Sequence, residues 1–449
     1  MKLWEKGTNP EPVIIEFTAG MDRQTDLVFA KWDIIGSMAH VIMLQSAGLV
    51  SADEKTKMLH SLRSLFKLDE KGELVIEDGV EDIHSQIEKD MSLVLGPAGK
   101  KIHTGRSRND QVLVDIRLYM REEIDTLAMQ VQMLFTKLQE LSERHSEILL
   151  PGYTHMQSAM VSSFGLWFGS WAECLADDIV MLAAARAVNN QNPLGTAAGY
   201  GTTLPIDRKM TSELLGFDNT LYNSAYAGVS RGKIEMATAS ALASIAQTLS
   251  RFSMDICIYM SSEYKFVDFP DELVTGSSIM PQKRNPDVFE LIRGRCNLIQ
   301  TLSGQVAILA GNLQSGYNRD LQLLKKLIFD AFREVKECIS VMLMMINNIR
   351  IRENITESAT YNAIFSTEAA NRLVKQGVPF RDAYKTVSEM VKNTSFQKTA
   401  PSDYTHEGSI GNLCNKEIAL LFETRMKPFK NTSAQEFVNK LMEHADDVN

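Results

Sequence analysis

Several things are scarce in this sequence, and each scarcity excludes something. Among 449 residues there are five cysteines, Cys174, Cys257, Cys296, Cys338 and Cys414. Their number is odd and no CxxC pair occurs, so neither a disulfide framework nor a zinc ribbon is indicated. They read as buried free thiols in a reducing compartment. Positive charge is also short: 47 Lys and Arg against 56 Asp and Glu leave a net charge of −9. No basic surplus or stripe of the kind that holds nucleic acid follows from that balance. No apolar run approaches the roughly 20 residues needed to span a bilayer. The opening MKLWEKGTNPEP lacks the apolar core of a signal peptide. The cytoplasm is therefore the expected location, without a membrane partner. GxxxxGK[ST] and GxGxxG are both missing, which speaks against a nucleotide-dependent enzyme. HExxH and any close-spaced His/Cys set are missing too, so no metal site and no cofactor are expected. There is no low-complexity linker and no repeat with a period of about 20–50 residues.

Proline is absent from two long stretches, Pro205 to Pro270 and Pro286 to Pro379. An interior proline costs a helix ~3 kcal/mol, so both stretches permit very long helices. The apolar spacing agrees. Met120, Ile124, Leu127, Val131, Leu134, Leu138 and Leu141 step alternately by four and three. Leu242, Ile245, Leu249, Phe252, Ile256 and Tyr259 repeat the pattern, as do Ile328, Phe332, Val335, Ile339, Met342, Ile346 and Ile349. Each series is the seam of a bundled helix. Further helices are predicted from about Ser162 to Asn189 and from Pro286 to Leu309. Shorter ones are predicted at Asp33–Ala47, Ala52–Phe66, Ser366–Gln376 and Arg381–Asn393, with a short hairpin in the turn-rich strip Asp69–Asp78. The expected class is all-α. A small N-terminal helical domain (1–104) precedes a central long-helix bundle (105–355) and a small C-terminal helical domain (356–449). Met236 to Ser250 contains no charged residue. A helix that is apolar or small all round must be buried on every side, and one chain's bundle is too thin for that. An oligomer whose core is built from the bundles of several subunits is expected.

Three segments interrupt the helical pattern with polar residues, glycine and proline. KKIHTGRSRNDQV, from Lys100 to Val112, gathers Lys100, Lys101, His103, Arg106 and Arg108 and then opens the first long helix, with Ser107, Asn109 and Asp110 as N-cap types. A basic cluster at a helix N-terminus can bind an anion; it can equally be a solvated turn. LLPGYTHMQ, from Leu149 to Gln157, places Thr154, His155 and Gln157 after a turn assigned to Pro151 and Gly152 between two helices. TGSSIMPQKRNPDVFE, from Thr275 to Glu290, packs paired serines, Lys283, Arg284 and Asn285 into a loop, with Asn285 as a plausible N-cap and Pro286 at the first helical position.

GSSIMPQKRNP resembles the signature loop of the fumarase/aspartase superfamily. HTGRSRNDQ and PGYTHMQ are similar to argininosuccinate lyases and their lens relative, delta-crystallin. The likeness continues in KLWEK, EDIHSQIE, NPLGTAAGYGTTLPIDR, SGYNRDLQ, GVPFRDAY and THEGSIGNL, and so covers essentially the whole chain. It implies a carbon–nitrogen lyase that splits argininosuccinate into arginine and fumarate by β-elimination, in a homotetramer whose sites are shared between subunits. Carried over by position, His155, Ser277, Lys283 and Glu290 would be catalytic. Ser107, Arg108, Asn109, Thr154, Asn285, Tyr317, Gln322 and Lys325 would bind substrate, the last three at its amino-acid end. Either His155, with Glu290 as charge partner, or Ser277 could be the base. The chain departs from the family in FTAGMDRQTD, where Gly20 stands in place of a substrate-binding serine and two residues are inserted before Asp26. NSAYAGVSRGKIE, from Asn223 to Glu235, lacks an acidic–basic–acidic stretch common there. The competing readings are a related lyase acting on another succinyl amine and a catalytically silent, crystallin-like structural protein. Retention of His155, Ser277, Lys283, Asn285 and Glu290 speaks against the second.

Overall fold

The computed structural model describes residues 11–391, 396–429 and 434–444. The three apolar seams become three long helices, α5, Arg108–Arg144, α9, Lys233–Met260, and α12, Leu324–Asn347, except that the last seam position, Ile349, lies beyond the end of α12. All seven seam positions of α5 are at most 2% exposed. Before α5 come α1 (Pro12–Ala19), α2 (Asp22–Ser46), α3 (Ala52–Glu70) and α4 (Ile83–Leu95). Between the long helices lie α6 (Phe164–Asn189), α7 (Arg208–Leu214), α8 (Ser224–Val229), α10 (Asp287–Ile299) and α11 (Leu302–Ala310). The chain closes with α13 (Ser366–Lys375), α14 (Phe380–Met390), α15 (Asn415–Arg425) and α16 (Ala434–Glu443). The all-α class is as expected.

Cross-helix contacts give the directions. Arg186 pairs with Asp125 at 2.6 Å, and Ser142 Oγ donates to Gly165 O at 2.7 Å, so α6 runs back along α5. Asp178 accepts from Ser244 and Thr248, while Trp167 packs on Tyr259; α9 is therefore antiparallel to α6. Ser250 meets Asn297, and Arg293 meets Met254, which sets α10 antiparallel to α9. Lys336 reaches Glu123 and Gln130 reaches Ser340, so α12 runs parallel to α5. Two buried arginines lock the far end of α6. Arg117 donates to Val188 O and Asn189 O at 3.2 and 2.8 Å. Arg121 donates to Leu215 O and Gly216 O and lies between the rings of Phe217 and Phe437. Carbonyls that a helix end or turn leaves unpaired are thereby satisfied without water.

One continuous core runs through the N-terminal helices, the bundle, α15 and α16. A second, separate core joins Val161 to Ile364, Phe365, Ala383 and Ile410. Helix α2 is long and apolar enough by composition to cross a membrane, but 83% of that stretch is buried inside the protein. It is the core helix of the N-terminal part, and Trp32 to Leu44 along it are covered. The sequence predicted only its second part, as a short helix over Asp33–Ala47; the helix begins at Asp22, and its polar residues Asp33, Ser37 and His40 are themselves buried.

Several expectations are corrected. No strand forms at Asp69–Asp78; α3 extends to Glu70 and irregular chain follows. The helix placed over Pro286–Leu309 is two, α10 and α11, broken at Gln300–Thr301. Asn285 does not cap α10: Pro286 holds the cap position, and Asn285 instead closes the preceding loop. Pro151 and Gly152 are not a turn between helices. They lie in β1 (Leu149–Thr154), which pairs antiparallel with β2 (Gln157–Ser163). Their partners are Val161 and Met160, and the turn falls on His155 and Met156. The predicted helix end at Asn393 lies outside the described residues. The charge-free stretch of α9 is only partly covered within one chain: Ser240, Ala243, Ser244 and Thr248 are half-buried and Gln247 is exposed.

Candidate active site

The residues singled out in the sequence gather at two opposite ends of the bundle. At the first end, the N-terminus of α5 is fastened by its own sequence. Ser107 caps the helix, accepting from Asn109 N at 3.3 Å, and its N–H donates to Asp110 Oδ1 at 2.8 Å. Asp110 Oδ2 accepts from Gly195 N and Ala197 N at 2.9 and 3.0 Å, which pins the glycine-rich NPLGTAAGYG loop beside the helix start. Burial pushes the Asp110 carboxyl up to about 6, against the pull of these donors.

Because α12 runs parallel to α5, the start of α12 arrives at the same place. A cleft of about 250 Å³ there is lined by Arg108, Asn109, Tyr317, Gln322 and Lys325, five of the residues named from the sequence. Asp22, Asp26, Glu81, Asp82, His84, Val112 and Arg319 complete it. The cleft is densely ion-paired. Lys325 is buried and held between Asp26 at 2.6 Å and Asp22 at 2.7 Å. Its ammonium is driven down by burial and more than restored by these two carboxylates, so its pKa stands above the usual value. Arg108 pairs with Asp82 at 2.8 Å and Glu81 at 3.3 Å. The basic cluster read from the sequence is thus largely engaged within the protein. Lys101 pairs with Glu54 at 2.6 Å, and Arg106 is buried on Ser37 Oγ and Ile102 O. Burial, helped by Arg106 and Arg108, pushes His103 down to about 4.

Behind the cleft, Asp33, His84 and Asp115 bring three potential ligand atoms within 4.8 Å. Sequence spacing does not reveal this group, since its members come from three helices. His84 Nδ1 lies 2.6 Å from Asp33 Oδ2 and 3.6 Å from Asp115 Oδ2. Burial opposes charge on His84, but the neighbouring carboxylates prevail and raise its pKa. Asp33 is held below the usual carboxylate range despite burial, chiefly by His84. Asp115, with no hydrogen-bond partner for either oxygen among the described residues, is driven well above it by burial. The cluster reads as an internal ion network that steadies the wall carrying Arg108.

At the other end are the hairpin and the 275–285 loop. Thr154 and His155 form the exposed hairpin tip, with φ of +51° at His155 and +62° at Met156. A non-glycine side chain in that region carries strain that the surrounding structure has to hold. The loop is closed at its base: Asn285 N donates to Thr275 O at 2.8 Å, and Asn285 Nδ2 donates to Gly276 O at 3.0 Å. Arg284 clamps Asp268, Asp271 and Phe269 O. Inside this base Ser277 Oγ accepts from Met280 N at 3.2 Å, and Lys283 is exposed. Glu290 stands exposed in the first turn of α10. Among the described contacts none joins His155 to Glu290, Ser277 or Lys283. A larger cavity of about 500 Å³, between 210–216 and α16, contains none of the residues singled out.

Residues 15–301 match the family described as Lyase, and residues 363–410 match the argininosuccinate lyase C-terminal family. Among solved structures, EDDS lyase in complex with formate superposes with a TM-score of 0.74 at 19% identity, covering 98% of this chain and 95% of that one. Class II fumarase from Schistosoma mansoni superposes at 0.70 with 16% identity, covering 97% and 95%. At such identities the likeness is one of fold. The sequence relatives are nearer. Argininosuccinate lyase of Bacteroides fragilis is 50% identical over 95% of this chain and 96% of its own length. That of Phocaeicola vulgatus is 51% identical over 94% of each chain, and that of Parabacteroides distasonis 46% identical over 98% and 99%. The chain belongs to the argininosuccinate lyase family.

Proposed function

We infer that this chain is a carbon–nitrogen lyase that cleaves argininosuccinate into arginine and fumarate, a step of arginine biosynthesis. The observation that carries this is the near-complete overlap, at about half identity, with argininosuccinate lyases. The chemistry of the two bundle ends supports it. β-Elimination removes a proton next to a carboxylate and builds a second negative charge on that carboxylate. Pre-placed cations and hydrogen-bond donors must stabilise the dianion. Lys283 and Asn285 are suited to that, on a loop that carries Ser277 and whose base is stapled while its tip is open to solvent. His155 and Ser277 are the two groups whose chemistry suits proton transfer, with Glu290 as the charge partner of His155 and Thr154 as a substrate contact. Ser107, Arg108, Asn109, Tyr317, Gln322 and Lys325 bind substrate at the cleft end, the last three at its amino-acid part.

The working unit is an oligomer, which we propose is a tetramer with shared sites. Helix α5 has 37 residues, or about 55 Å at 1.5 Å per residue, and it separates Asn109 from His155. One chain cannot fold both onto one substrate; neighbouring chains with antiparallel bundles can. Partly exposed small residues along α9, and exposed Met129, Met133, Leu291, Leu298 and Ile308 on neighbouring helices, suit such packing. The cytoplasm is the proposed location. The test is incubation with argininosuccinate and no added cofactor, watching fumarate absorbance. Release of fumarate is expected. No release from argininosuccinate, with brisk release from adenylosuccinate or aspartate, would overturn the reading.

A further inference from the structure

The cleft at the start of α5 contains four acids, and three of them are committed. Asp26 is 1% exposed; it binds Lys325 at 2.6 Å and accepts from Ile83 N at 3.4 Å. Asp82 pairs with Arg108 at 2.8 Å and caps α4 through Ser85 N at 2.8 Å. Glu81 is shared between Arg108 at 3.3 Å and Arg319 at 3.2 Å. Asp22 differs. Its Oδ1 lies 2.7 Å from Lys325 Nζ and its side chain keeps 16% exposure. Its second oxygen has no recorded partner among the described residues. Asp22 also belongs to FTAGMDRQTD, the segment where this chain departs from its family, two residues after Gly20. Gly20 has a φ of +52°, so the chain turns sharply between α1 and α2. Its place lies beside Gln322 Nε2, 3.9 Å from where a Cβ would stand, with no hydroxyl to offer.

The amino-acid end of argininosuccinate bears an ammonium and a carboxylate on one carbon. A site that draws the carboxylate to Lys325 must offer an anion within a few ångströms for the ammonium, or leave that charge unpaired in a part-buried cleft. We propose that Asp22 is this anion: a specificity-determining residue that receives the α-ammonium of the substrate and takes over the recognition lost with the family's serine at position 20. Burial has pushed the Asp22 carboxyl up to about 6, against the pull of Lys325. It is therefore ionised at neutral pH, and a second cation can settle on it.

This inference rests on the proposed activity. Its test uses two inhibitors of fumarate release by the intact protein: arginine, and δ-guanidinovalerate, the same molecule without the ammonium. The wild-type protein should bind arginine at least roughly tenfold more tightly than δ-guanidinovalerate, as expected for a charge-assisted hydrogen bond. In Asp22→Asn that ratio should fall towards one because arginine weakens while δ-guanidinovalerate does not. KM for argininosuccinate should rise more than kcat falls. Asp22→Glu, which keeps the charge, should retain a preference for arginine. If Asp22 served only as a counter-ion that positions Lys325, the variant would weaken both inhibitors alike, and the proposal would fall. It would fall equally if the wild-type protein did not discriminate between them, a measurement that needs no variant to fold. Absence of any wild-type turnover of argininosuccinate would instead count against the activity itself.

Discussion

The separation of Asn109 from His155 by the length of α5 leads to a quantitative expectation. Asn109 lines the cleft at the first end, and His155 sits at the hairpin tip beyond the other. With 37 residues between the helix ends, the gap is about 55 Å, several times the length of the substrate. Each of Asn109→Ala and His155→Asn, taken alone, should lower turnover by roughly a hundredfold or more, the usual scale for losing a positioned proton-transfer or binding group. In an equal mixture of the two variants, each site would draw its position 109 from one chain and its position 155 from another. Each has an even chance of being wild-type, so roughly a quarter of the sites in a closed symmetric assembly should be intact. Fumarate absorbance in a co-expressed, differently tagged pair should then recover to about a quarter of the wild-type rate, far above either variant. Native mass spectrometry establishes that mixed assemblies are present. Verified mixed assemblies that stay inactive would refute the reasoning, as would a fully active monomer in sedimentation.

Three further outcomes are expected. Ser277→Ala should reduce kcat by orders of magnitude while KM changes little, since the side chain is part-exposed and its recorded hydrogen bonds stay within its own loop; near-normal turnover would remove the serine from the mechanism. Phe332→Ala should cost about 3–5 kcal/mol, because Phe332 is fully buried in the α12 seam against Tyr119; a melting temperature within a degree of wild type would contradict that packing. Asp178 is 3% exposed, and burial raises its carboxyl from 3.8 to about 6 despite donors from Ser244 and Thr248. A pKa raised on folding means that the acid form is favoured in the folded state at low pH and that this advantage is lost as pH rises through about 6. Asp178→Asn should therefore stabilise the protein near pH 8, by up to ~3 kcal/mol, with the gain fading as pH falls through about 6 and gone below about 4. Equal effects at both pH values in thermal melts would argue against a strained carboxylate.

Much of the fold was legible in one dimension. Met120 to Leu141, Leu242 to Ile256 and Ile328 to Ile346 announce their buried faces by spacing, because a helix repeats every 3.6 residues whatever it packs against. Ser107 reads as a cap because its hydroxyl reaches its own helix's N–H groups. The hairpin was not legible. Leu149 to Ser163 pairs through a register in which Gly152 faces Met160, and its turn uses His155 and Met156 at positive φ, where sequence preference points to glycine. The acidic side of the cleft was also hidden. Asp22, Asp26, Glu81 and Asp82 look like ordinary surface charges until α2 and α4 are laid against the start of α12. The strings EDIHSQIE and FTAGMDRQTD contained these acids without marking them as a group, and Arg319 stood unremarked within SGYNRDLQ.

By itself, the sequence determined where the three long helices run, which faces they bury, and which loops carry lysine, serine, histidine and asparagine in the order of a fumarate-releasing lyase. These are properties of neighbours along the chain, governed by local hydrogen bonding and periodic burial. Only the tertiary structure decided where those loops go. The parallel course of α5 and α12 brings Asn109 to Lys325, and the antiparallel course of α6, α9 and α10 sends His155 and Ser277 to the opposite end. It also decided the charge states of Asp33, His84 and Asp115, which meet from three helices. Such pairings depend on burial and on contacts between residues far apart in the chain, and neither spacing nor composition encodes them.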